Sequence, residues 1–232
     1  MKSHYIDEIR QLDLFRGMRD DSFEALMRGA YVHSFPPLVE MIREGEMSDF
    51  LHVVMDGSVE LFASWGGKDT TLNIVRPVST FILAATIRSA PYLMSARTLE
   101  RSRIVMLPSE DVLKVFDDDT GFARAVVVEL ATCFRHSIKH TKTLKLRTSL
   151  ERLANYVLQE SMGRNGVDAF SLNIEKRKLA SLLGMTPENL SRAIKALTEH
   201  GVLIEGSRVV IEDMPGLTRF ARPTPLIDDP TS

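Results

Sequence analysis

The spacing of apolar and polar positions changes character twice along the chain. From Tyr31 to Leu107 it alternates in short runs: Phe50-Leu51-His52-Val53-Val54-Met55, then Asp56-Gly57, then Ser58-Val59-Glu60-Leu61-Phe62. Alternation of this kind places successive side chains on opposite faces of a strand. An Asp-Gly pair between two such runs predicts a hairpin, because both residues tolerate positive φ. Trp65-Gly66-Gly67-Lys68 predicts another turn ahead of Thr71-Leu72-Asn73-Ile74-Val75. Several short strands separated by turns imply a β-sandwich or β-roll. The stretch before Tyr31 reads as helix, with Leu12, Leu14, Phe23, Leu26 and Met27 as its apolar contacts.

The period lengthens at Asp117-Asp118-Asp119-Thr120, whose acids suit the positive end of a helix dipole. Beyond them Ala123, Val127, Leu130, Phe134, Ser137 and Thr141 recur at spacings of four and three, and Val126 and Ile138 widen the stripe. A seam of this period on a long helix predicts a coiled-coil contact with a second copy of the chain. Thr148 to Met162 is amphipathic through Leu150, Leu153, Ala154, Val157 and Leu158, and Gly163-Arg164-Asn165-Gly166 closes it. Past Asp213 come Pro215, Pro223, Pro225 and Pro230 with few core candidates, which predicts a mobile end. The architecture expected is α+β, with a sensor β-roll over 1–118, a dimerisation helix and hinge over 119–147, and a third part over 148–232.

That third part holds the most specific pattern. In Lys176-Arg177-Lys178-Leu179-Ala180-Ser181-Leu182-Leu183-Gly184, three leucines make the buried stripe of a short helix and Ala180 is small where another helix crosses. Gly184 supplies the turn, Thr186 the N-cap, Pro187 the first helical position and Glu188 a first-turn acid. Leu190, Ile194 and Leu197 then form the inner face of a second helix. Two short helices joined by a glycine turn make a helix-turn-helix, whose second helix enters the DNA major groove. Gly201 to Ile211 reads as two strands around Gly206-Ser207, which completes a winged helix-turn-helix.

Glu188, Ser191, Arg192 and Lys195 point outward from the second helix, with Thr186 and Asn189 at its start. A carboxylate accepts from cytosine N4, Arg donates twice to guanine O6/N7, Ser meets a base edge or phosphate, and Lys suits phosphate. The 232-residue chain has 29 Lys+Arg against 31 Asp+Glu, a net charge of -2 that excludes a protein coating nucleic acid by charge alone. By region, however, the first sixty residues carry twelve acids and six bases, whereas Phe134 to Glu212 carries thirteen bases and eight acids. The balance conceals an acidic front and a basic rear.

A β-roll, a long helix and a winged helix-turn-helix, in this order and length, resemble the Crp/Fnr superfamily of bacterial transcription regulators. Glu188-x-x-Ser191-Arg192 is similar to the recognition-helix signature of the Fnr-like branch, and the run Thr186 to Arg192 to that of NnrR-type regulators of nitrogen-oxide metabolism. The resemblance implies a homodimer on an inverted repeat with TTGA-like half-sites, Arg192 reading the guanine and Glu188 the cytosine opposite. It also implies double-stranded DNA as partner and RNA polymerase contacts for an activator. A lone thiol and a start without an apolar run of signal-peptide length make the cytoplasm the expected compartment, and with no phosphate-binding glycine loop, nucleophile elbow or carboxylate motif no enzyme is expected.

The chain departs from the family in its sensor. Cys133 is the single cysteine, so a protein-ligated iron–sulfur cluster is excluded. The residues of cyclic-AMP-binding members that hold the cyclic phosphate fall on Ser79-Thr80-Phe81 and Ala90-Pro91, which supply no cation, although Arg88 and Arg97 lie near. Cyclic AMP is therefore not the expected signal. Phe81, Ile82, Leu83, Ile87, Leu93 and Met94, with Val126, Val127 and Leu130 of the long helix, are the candidate effector pocket. These residues suit plain core, or a pocket for an apolar molecule or heme; the resemblance to nitrogen-oxide regulators implies heme as a sensor of nitric oxide, with His4, His33, His52 and Cys133 as candidate axial ligands by chemistry. His136 and His140 have the i,i+4 spacing of metal ligands but no third ligand, so no metal site is expected. Two other readings stand beside this one: a regulator controlled by its own abundance, and a ligand-binding roll whose C-terminal domain binds protein. No apolar run reaches the length of a membrane span.

Overall fold

The computed structural model describes residues 3–229. The chain forms two compact units, Met1–Cys133 and Phe134–Ser232, and one helix runs through both. In the first unit, helices α1 (Ser3–Gln11), α2 (Asp13–Arg16) and α3 (Asp20–Arg28) precede strands β1 (Tyr31–Phe35), β2 (Glu40–Ile42), β3 (Phe50–Asp56), β4 (Val59–Trp65), β5 (Lys68–Val75) and β6 (Ser79–Phe81). Then come α4 (Leu83–Arg88), β7 (Ser95–Thr98), β8 (Ser102–Pro108), α5 (Ser109–Asp118) and the start of α6 (Thr120–Leu146). The strands make two four-stranded antiparallel sheets, ordered β1-β8-β3-β6 and β2-β7-β4-β5.

That topology corrects the hairpin expected at Asp56-Gly57, because β3 and β4 lie in different sheets. The turn itself is real. Gly57 has φ +82, and a Cβ there would fall 2.4 Å from Ser102 Oγ and 2.6 Å from the Arg101 carbonyl. Just beyond it Ser58 N donates to Ser102 Oγ and Leu99 N donates to the Ser58 carbonyl, so the β7–β8 connection catches the chain and diverts it into the second sheet. Trp65 and Lys68 do face each other across a two-residue hairpin, Gly66 and Gly67 both having positive φ.

β3 is buried on both faces. Leu51, Val53 and Met55 join Ile9, Phe15, Leu26, Val112, Phe122 and Val126 in the core under the helices. Val54 joins Ile42, Val59, Leu61, Phe81, Tyr92 and Ile104 inside the roll. At the start of α6 the Asp119 carboxylate accepts from Phe122 N at 3.0 Å and Arg19 N at 2.8 Å, tying the helix to the α2–α3 connection. Gly121 meets Gly17 backbone to backbone there, and a Cβ on Gly121 would sit 2.1 Å from the Gly17 carbonyl oxygen.

The second unit continues through the rest of α6, α7 (Ser149–Met162), β9 (Ala169–Ser171), α8 (Lys176–Leu182) and α9 (Pro187–Leu197). A single 3-10 turn (Thr198–His200) leads to β10 (Val202–Glu205), β11 (Arg208–Ile211), α10 (Met214–Ala221) and α11 (Pro225–Asp228). A capping box starts α7: Thr148 Oγ1 accepts from Glu151 N, and Thr148 N donates to the Glu151 carboxylate. The wing is the expected pair β10–β11, extended by β9 into a three-stranded sheet that the sequence reading missed. The tail is also corrected. Leu217 and Ala221 of α10 are buried in the core, and α11 is bonded to α6 and to the α6–α7 linker; Pro230 lies outside the described residues. Their local signal was weak because Pro215 starts a helix here, capped by the Asp213 carboxylate, instead of breaking one.

Candidate nucleic-acid interface

The α8-turn-α9 unit is set by short-range bonds. Met185 N donates to the Ala180 carbonyl at 2.9 Å, and Gly184 turns the chain at φ +62. A Cβ at Gly184 would approach Leu144 Cδ2 to 2.5 Å, so the turn lies against α6 as well as adopting a glycine conformation. Thr186 caps α9 by accepting from Asn189 N at 3.2 Å, and Pro187 occupies its first turn. Leu190, Ala193 and Leu197 are buried; Ala193 takes a place expected for Ile194, which is only partly covered.

Thr186, Glu188, Asn189, Ser191, Arg192 and Lys195 are all exposed. Positions 188, 191, 192 and 195 share one helix face by spacing. The Glu188 carboxyl is held below the usual carboxylate range by its own backbone N–H, by the Thr186 hydroxyl and by Arg192, so at neutral pH it is an acceptor only. Ser191 Oγ donates to the Pro187 carbonyl at 2.9 Å, which leaves its lone pairs to accept from a partner. The face thus offers two acceptors and two cations. Lys176 and Arg177 at the start of α8 and Arg208 beside the wing turn add exposed cations in the same unit.

The effector-pocket candidates divide among three environments. Phe81, Ile82 and Met94 meet in the roll interior, whereas Leu83 and Ile87, together with Leu130 and Val126, pack in the core under the helices. Leu93 is 81% exposed and Val127 62% exposed. Leu93 turns outward because Tyr92 takes the inward position beside the Met47–Pro91 bridge. Arg97 is excluded as a pocket cation by its position: Ala96 faces the roll interior, and Arg97 on the opposite face holds Glu60 at 2.7 Å and Asp69 at 2.9 Å over the Phe62 ring. Arg88 is exposed at the end of α4.

The candidate heme ligands do not converge. His33 and Cys133 are exposed, and the side chain of His4 lies outside the described residues. His52 is buried, stacks on Phe81 at 5.1 Å, and its Nδ1 has no partner among the described residues; burial pushes its pKa down to about 4 and keeps it neutral. The Cys133 thiol is pushed up by desolvation and by Glu129, which disfavours the reactive thiolate. Among the described residues no cluster of three or more His, Cys, Asp or Glu is placed to hold a metal ion.

On α6 the proposed seam is exposed at Val127, Phe134, Ile138 and Thr141, and half-covered at Ala123 and Leu130. Val126 is the correction: at 1% exposure it is committed to the core of its own unit.

Two family models match the chain, the cyclic nucleotide-binding domain over residues 32–119 and the Crp-like helix-turn-helix domain over residues 151–220. A CRP-like cAMP-activated global transcriptional regulator of Mycobacterium tuberculosis is 24% identical over 94% of this chain and 100% of its own length. The structure of FixK2 from Bradyrhizobium japonicum matches with a TM-score of 0.73 and 22% identity, over 84% of this chain and 98% of that one. That of the c-di-GMP responsive global regulator CLP from Xanthomonas campestris matches with a TM-score of 0.69 and 17% identity, over 84% and 100%.

Proposed function

Because the chain belongs to the Crp/Fnr superfamily of DNA-binding transcription regulators, we propose that it acts as a homodimer on an inverted repeat with TTGA-like half-sites. Residues 1–118 serve as the sensor, 119–147 as dimerisation helix and hinge, and 148–232 as the DNA-binding part, acting with RNA polymerase where it activates. The observation that carries this reading is the shared outward face of Glu188, Ser191, Arg192 and Lys195 on a capped helix inside a winged helix-turn-helix. Arg192 donates to guanine O6/N7, Glu188 accepts from cytosine N4, and Lys195 meets phosphate. Arg192→Ala should cost about 1–3 kcal/mol on a TTGA palindrome and relax preference at the guanine. Wild-type affinity in that variant, measured by fluorescence anisotropy, would remove Arg192 from base readout.

The sensor binds a small molecule of a class not set by the fold, since one matched regulator is named for cAMP and another for c-di-GMP. The cyclic-phosphate positions carry no cation and Arg97 is engaged on the outer face, which supports a signal other than cyclic AMP. Heme with nitric oxide is the poorer fit, because its candidate ligands are scattered and His52 is sealed against Phe81. Two titrations test this: cyclic AMP should leave the melting temperature unchanged, and purified protein mixed with hemin should give no shifted Soret band. A melting temperature that rises with cyclic AMP concentration would return the nucleotide to the roll.

A further inference from the structure

The C-terminal segment makes a set of contacts that DNA reading does not use. Asp228 at the end of α11 accepts from both terminal nitrogens of Arg147 at 2.7 and 2.6 Å, and both side chains are 9% exposed. Thr224 N donates to the same carboxylate at 2.7 Å, and Gln159 of α7 reaches it at 3.3 Å. On α6, Lys139 Nζ donates to the Asp229 carbonyl at 2.6 Å and Lys142 Nζ to the Leu226 carbonyl at 3.4 Å. Four side chains from α6, the α6–α7 linker and α7 therefore grip one six-residue strap, 224–229. Burial alone would raise the Asp228 pKa, but Arg147 and the Thr224 amide outweigh it and hold the carboxyl below the usual range.

Beneath the strap, α6 and α7 enclose a cleft of about 270 Å³ lined in part by Leu144, Arg147, Arg152, Asn155, Leu183 and Ile227. Among the described residues, two buried polar atoms of its lining, Arg152 Nε and Asn155 Oδ1, have no hydrogen-bond partner. The Asn155 amide nitrogen donates to the carbonyls of Glu151 and Ala221, which fixes its oxygen as the atom left over. Both atoms can take a partner when α6 and α7 rearrange.

We propose that the segment Thr224–Asp229 is a latch that holds the α6–α7 hinge in this arrangement. Release of the Arg147–Asp228 pair lets the hinge repack, and α9 moves with it because Leu190, Ala193 and Leu197 share a core with Leu153, Ala154 and Val157 of α7. Hydrogen exchange tests the latch in full-length Asp228→Asn and in a chain ending at Pro223. Amides from Leu144 to Thr148 should exchange at least tenfold faster in both, those of β10 and β11 should keep their wild-type rates, and affinity for mixed-sequence duplex should change threefold or more. Unchanged exchange in the linker would overturn the proposal, and so would faster exchange with unaltered affinity. Equal acceleration in β10 and β11 would also overturn it, by showing that the strap merely stabilises the unit. The exchange measurement stands whichever operator the protein reads.

Discussion

Arg192 and Lys195 sit one turn apart on α9, yet they are assigned different work, and salt separates them. A phosphate contact releases counterions, so Lys195→Ala should weaken binding to all sequences alike and reduce the slope of log K against log salt by about 0.9. Wild-type slope in that variant would argue against a phosphate contact. These residues were legible in the sequence because a cap, a first-turn proline and an i,i+3,i+4 face are all local properties. Leu93 and Arg97 were not, since which way each points depends on strand partners far along the chain. Asp119 carries a residue-scale prediction of its own. Its burial raises the pKa, but the Phe122 and Arg19 amides outweigh burial and hold it below the ordinary value near 3.8. A carboxylate with a depressed folded pKa adds stability above its unfolded pKa and loses it as pH falls through the folded one. The urea midpoint of wild type should therefore drop more steeply than that of Asp119→Asn between pH 5 and about pH 2. Parallel curves would mean that the cap contributes no charge-dependent stability.

Among elements, the two turns of the roll teach opposite lessons. Gly66-Gly67 is a hairpin because its flanking strands pair with each other, and local sequence decides that. Asp56-Gly57 has the same turn chemistry but sends β4 into another sheet, and the contacts that divert it come from Leu99 and Ser102, more than forty residues on. Positive φ was readable; partnership was not. At the other end, α10 was hidden among prolines although Leu217 is fully buried in the second core. Leu217→Ala should lower the stability of this unit by about 2–5 kcal/mol, read from urea unfolding, because a buried leucine leaves a cavity when truncated. A loss under about 1 kcal/mol would place α10 at the periphery instead of in the core.

For the whole molecule, the near-neutral charge and the long helix have to be considered together. A C-terminal stretch with a surplus of only five cations binds DNA weakly by charge alone, so useful affinity requires two recognition helices on one duplex. α6 supplies the means: Phe134 at 67% and Ile138 at 47% exposure are large apolar side chains that a single chain leaves in water. In the proposed homodimer a second copy of α6 would cover them at the spacing a coiled coil uses, and would place half-sites about 34–36 Å apart, one DNA turn. Glutamate at both positions sets like charges face to face across that seam. Phe134→Glu with Ile138→Glu should sediment as a monomer, and should bind a two-half-site duplex at least about 100-fold more weakly than wild type, because linked binding is lost. Affinity for an isolated half-site should stay within a few-fold, since Glu188, Arg192 and the α9 cap are untouched by either change. A double variant that still sediments as a dimer would move the interface off this face of α6.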